Sequence, residues 1–120
     1  MIGASGKAWL NLEAGKHEKE AERFRFNNLE RTARITDYQN RISAKRQTVA
    51  YIRSLVAGGT ITNPVTRDGM TVEANTIEKM ADDMDKFLVT EIPALAWHQS
   101  QAETYDVAAA ALRAAAASHA

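Results

Sequence analysis

From about His17 to Ala57 the chain contains neither proline nor glycine and consists mostly of good helix formers, and no other feature restricts its fold as strongly. A helix of up to about 40 residues is predicted there. Its pattern has a seven-residue period. Ala21, Asn28, Ile35, Ile42, Val49 and Val56 take position a, and Phe24, Arg31, Tyr38, Lys45 and Ile52 take position d. The a sites from Ile35 to Val56 are β-branched, while Asn28, Arg31 and Lys45 interrupt the seam. From residue 21 onward, positions e and g carry Arg25, Arg34, Arg41, Arg46 and Arg53 and no acid. A parallel pairing of this helix with itself would set arginine against arginine, so it requires an acidic neighbour.

The rest of the chain supplies one. Residues 1–57 hold eleven Lys or Arg against six Asp or Glu, and residues 58–120 hold four against nine, although the whole chain is neutral. Such sorting implies a basic surface for an acidic partner, or two halves that pair within a molecule or between copies. Asn75 with Glu78 three residues later has the form of a capping box, with Asn in place of Ser or Thr. A helix over about 76–90 is expected from it, with Ile77, Met80, Ala81, Met84, Phe87 and Leu88 on one stripe and Asp83 and Asp85 on its flanks. Pro93 ends or kinks that helix. A last helix over about 94–117 is polar at first and then nearly pure alanine.

Between the two halves, Gly58 and Gly59 stop the first helix. Short β-prone runs on either side of Asp68-Gly69 then predict a β-hairpin over about 60–73. Residues 1–16, with Gly3, Gly6 and Gly15, are expected to form a flexible or docking arm bearing Trp9. The expected fold class is mainly α: a long N-terminal helix, a short hairpin and two helices, in a single domain over 17–120.

Several chemistries have no support in the residues. The chain lacks cysteine, which removes disulfide frameworks and thiolate metal sites. His17, His98 and His119 lie in separate segments, and neither Ser100 nor Ser118 sits in a nucleophile-elbow context. Glu78, Asp82, Asp83, Asp85 and Glu91 lack the spacing of a calcium loop. No cofactor, metal site or catalytic constellation is expected, and no enzyme. The apolar runs fall short of the roughly 18 residues of a membrane span, and Met1 to Leu12 lacks the apolar block of a signal peptide. A soluble chain is therefore expected. The arginines of the long helix are interspersed with acids and accompanied by no base-reading motif, so protein partners are favoured over nucleic acid.

Gly58, Gly59, Asp68, Gly69, Val72 and the helix from Asn75 give an order that resembles the small head-to-tail completion proteins of long-tailed bacteriophages, whose fold is helix, hairpin, helix. The Gly-containing arm leading into the Gln-, Asn-, Ala- and Arg-rich helix Asn27 to Gln47 also looks like the internal or ejected virion proteins of short-tailed phages. Both resemblances imply a phage particle, and neither implies catalytic residues. The expected function is a structural or assembly subunit of a multi-copy complex, located in a virion or the host cytoplasm, whose partners are copies of itself and other virion proteins. Its partner-binding residues would be Trp9, Arg25, Arg34, Arg41, Arg46, Arg53, Ile35, Ile42, Val49, Asp83 and Asp85. The alternatives are an inhibitor or regulator that binds one host protein, and a DNA-associated packing protein.

Overall fold

The computed structural model describes residues 3–118 and contains two helices, α1 (Ala4–Ala57) and α2 (Pro64–Ala117). They divide into two compact units. One comprises Met1–Thr32 with Pro93–Ala120, the other Ala33–Ile92.

The long N-terminal helix is present and begins earlier than its glycine-free stretch. Residues 4–16, expected as an arm, are helical, and Ala14 is fully buried. The helix stops where the glycines require it. The amide of Gly58 still bonds the Ser54 carbonyl at 2.9 Å, and Gly59 takes a left-handed conformation (φ 73°) that a side chain would strain.

The expected hairpin is absent: no strand occurs among the described residues, and 64–117 is one continuous helix. Asn63 and Pro64, which resemble turn residues, are the cap and first residue of α2. The Asn63 side-chain oxygen accepts from the amides of Val65 (2.9 Å) and Thr66 (3.2 Å), and Pro64 occupies the position where a missing N–H costs nothing. Asp68 and Gly69 follow within the helix. The β-prone Thr71 and Thr76 are accommodated by bonding their hydroxyls back to the carbonyls four residues earlier, at 3.0 and 2.9 Å. Asn75 and Glu78, read as a helix start, lie inside α2, where both accept from Arg53. Nor does Pro93 separate two helices. It lies exposed within α2, so the hydrogen bond it removes is at a position open to water.

Unit 2, Ala33–Ile92, is an antiparallel helical hairpin closed by the six-residue connection 58–63. Its core is the predicted a stripe of α1, with Ile35, Ile42 and Val49 at 4–7% exposure, against Ala74, Ala81 and Leu88 of α2. These α2 residues are also seven apart. In unit 1 the α1 stripe continues as Ala14 and Ala21, and α2 contributes Ala102, Ala109 and Ala116 at the same spacing. Asn28, at position a, is half-buried and donates its amide to the Leu95 carbonyl at 2.9 Å, so this polar interruption of the seam is satisfied. Alanine at every seventh position lets the helices approach closely but buries little area per residue. Consequently no side chain larger than alanine is fully buried among the described residues.

Candidate interaction surface

Position e lies on one side of the a stripe and positions d and g lie on the other, because successive residues turn by about 100° around a helix. The two sides have different chemistry in this protein.

On the e side of unit 2, Arg53 pairs with Glu78 at 2.5 Å, and Arg46 pairs with Asp82 at 3.3 Å and with Asp85. A step of seven along α1 is matched by a step of seven back along α2. Unit 1 has the same arrangement. Arg25 pairs with Asp106, and one heptad earlier the polarity reverses, with Glu18 of α1 accepting from Arg113 of α2 at 2.5 Å. These pairs are about half exposed, yet they perturb their members. The Arg113 hydrogen bond holds the Glu18 carboxyl below its ordinary value, and the Arg53 hydrogen bond does the same to Glu78. In turn the acceptors raise Arg25, Arg46, Arg53 and Arg113.

Position d in unit 1 gathers an aromatic cluster that sequence reading did not assemble. Phe24 stacks on Tyr105 (centroids 5.8 Å apart) and meets Trp97 and His98 edge-on, while His17 lies 5.6 Å from Tyr105. Histidines assigned to separate segments thus share one cluster. His98 Nδ1 is 2.8 Å from the Ala94 carbonyl and 3.2 Å from an Arg31 nitrogen. The seven-residue spacing of His98 and Tyr105 lies within the helix expected over about 94–117, but it marks a cluster only once His17 and Phe24 of α1 lie opposite.

The corresponding side of unit 2 is open and mixes apolar with charged side chains. Tyr38 and Phe87 have ring centroids 4.9 Å apart. Beside them an open groove of about 550 Å³ runs between α1 and α2, lined by Tyr38, Arg41, Lys45, Met80, Asp83 and Met84. Met80 is 48% exposed and Phe87 38%.

The sequence-derived partner-binding residues fall into three groups. Arg25, Arg46, Arg53 and Asp85 are engaged between the helices, and so is Arg34, 3.6 Å from Glu91. Ile35, Ile42 and Val49 are buried within the chain's own core, on the side that also holds Leu88. Trp9 is exposed at 57%; Arg41 pairs with Asp37 on its own helix at 3.2 Å, and Asp83 reaches Lys86 on its own helix at 4.0 Å. His119 lies outside the described residues. Among the described residues, no three His, Cys, Asp or Glu side chains are placed to hold a metal ion, and no helix is long and apolar enough to cross a membrane. Compared with protein-family models, curated proteins and solved structures, the chain matches none.

Proposed function

We propose that the protein is a non-enzymatic structural or assembly subunit of a multi-copy complex, acting through helix–helix contacts with protein partners. One observation carries this reading. Among the described residues no side chain larger than alanine is buried completely, yet Trp9, Phe26, Leu29, Tyr51, Val72 and Trp97 are more than half exposed. Large apolar groups excluded from a chain's own core are available to a neighbour's. The arginines that suggested an acidic partner are largely occupied by the chain's own carboxylates, which disfavours DNA packing and makes apolar contact the main source of affinity.

A bacteriophage virion is the setting we propose, with the host cytoplasm before assembly. The support is the likeness of the Asn27–Gln47 segment to internal virion proteins. The likeness to head-to-tail completion proteins no longer contributes, because Asp68, Gly69 and Val72 are helical. Mass spectrometry of intact particles tests this reading: a fixed copy number of this chain in purified virions is expected. Recovery only as a free one-to-one complex with a single host protein would replace it with the inhibitor reading.

A further inference from the structure

We propose that the d and g side of unit 2, centred on Met80, Met84, Phe87 and Tyr38, docks the same face of a second copy, with the two-fold axis parallel to the helices. This inference rests on the assembly reading and names its surface. The opposite, e side of the unit is closed by Arg46 and Arg53 with their carboxylates, whereas the proposed side, although it carries the Arg34–Glu91 pair, also leaves Met80 and Phe87 exposed. On the proposed face Met80 and Phe87, each one residue before the buried Ala81 and Leu88, stay partly exposed, Phe87 while its ring meets Tyr38, and Ile77 and Met84 beside them are of intermediate exposure. Methionine adapts to an irregular neighbour at little conformational cost, which suits a surface that meets its own copy.

Charge selects both occupant and orientation. Lys45 on α1 forms no ion pair among the described residues, and Asp83 on α2 has only the long contact to Lys86. Both line the same groove, at the same height along the pair. A two-fold axis parallel to the helices keeps that height and exchanges the two rims. It therefore sets Lys45 opposite the copy's Asp83 twice, and brings α1 against the antiparallel α2 of the copy. An axis perpendicular to the helices would instead set α1 against α1, and Lys45 and Arg41 against basic residues. The product is a four-helix arrangement of unit 2 in which Met80, Phe87 and Tyr38 become core.

Sedimentation equilibrium of the full chain, from low to high micromolar, tests this with three variants. The wild type is expected to associate. Met80→Glu with Phe87→Glu places charge on exposed positions and should weaken association at least about tenfold while the helical circular dichroism stays unchanged. Lys45→Glu alone sets acid against Asp83, and Asp83→Lys alone sets base against Lys45, so each should weaken self-association. Mixed together, the two restore both contacts, and a heterodimer should form more tightly than either homodimer. A wild type that stays monomeric throughout overturns self-docking. Association as tight in the Met80/Phe87 variant as in the wild type would leave the assembly reading standing and place the interface elsewhere. If that variant loses its helix, the mixture decides alone: no recovery on mixing excludes the arrangement.

Discussion

At the scale of single residues, the core has two kinds of member. Ile35, Ile42, Val49 and Leu88 are its bulky members, and the alanines supply proximity. Removing Ile42 to alanine leaves a gap in a layer that has few large groups. A loss of about 2 to 4 kcal/mol is expected, read from urea denaturation. The reverse error is as harmful. Ala81→Leu inserts bulk where Ala81 has no exposed surface and should cost about 1 to 3 kcal/mol or separate the helices. Among the charged residues, Glu18 and Glu78 have folded-state pKa values below the ordinary 4.5. Their folded carboxyls bind fewer protons than their unfolded ones, so their contribution is complete above pH 4.5 and disappears as pH falls through the lower folded values. Thermal midpoints followed by circular dichroism should accordingly be flat from neutrality to about pH 5 and decline below it, less steeply in Glu78→Gln. A midpoint that does not change down to pH 3 would contradict the pairing.

The helices as elements explain the main difference between expectation and structure. Asp68-Gly69 is a strong hairpin signal in isolation, and Gly69 is costly inside a helix. The segment is nonetheless helical, because Asn63 and Pro64 start α2 and because Ala74 must join the stripe that Ala81 and Leu88 continue. Tertiary packing overrides local preference here, as it commonly does. The two glycines therefore respond to substitution in opposite directions. Gly69→Ala, at ordinary helical φ with open space around the added methyl group, should stabilise by about 0.5 to 1 kcal/mol, whereas at an Asp-Gly turn it would destabilise. Gly59→Ala, at φ 73°, should destabilise by about 1 kcal/mol. Denaturant midpoints of the two variants decide between helix and hairpin.

For the whole molecule, sorting of charge along the chain becomes pairing between its halves. Arginines of α1 meet carboxylates of α2 at Arg25, Arg34, Arg46 and Arg53. The reversal, Glu18 with Arg113, fixes register as well as polarity, since a heptad slip in one direction would place Glu18 near Asp106 and a slip in the other would place Arg25 near Arg113. Exchanging the signs tests this. Glu18→Arg alone and Arg113→Glu alone should each lower the melting temperature, and the double variant should recover most of the loss. Because all of these pairs are half exposed, added salt should weaken them together.

The sequence by itself determined the long first helix, its glycine stop, the heptad register of α1 and the need of its arginines for acids, because period, punctuation and charge are local properties of the residues. Only the tertiary structure decided that α2 is unbroken, which carboxylate each arginine meets, that Ala74 and Ala81 complete the stripe facing Ile42 and Val49, and that His17 and His98 share one cluster. Each of these depends on which residues lie opposite one another across two helices. An alanine every seventh residue is inconspicuous until a second stripe is packed against it, and Asn75 and Glu78 resemble a helix start until Arg53 is seen to occupy both.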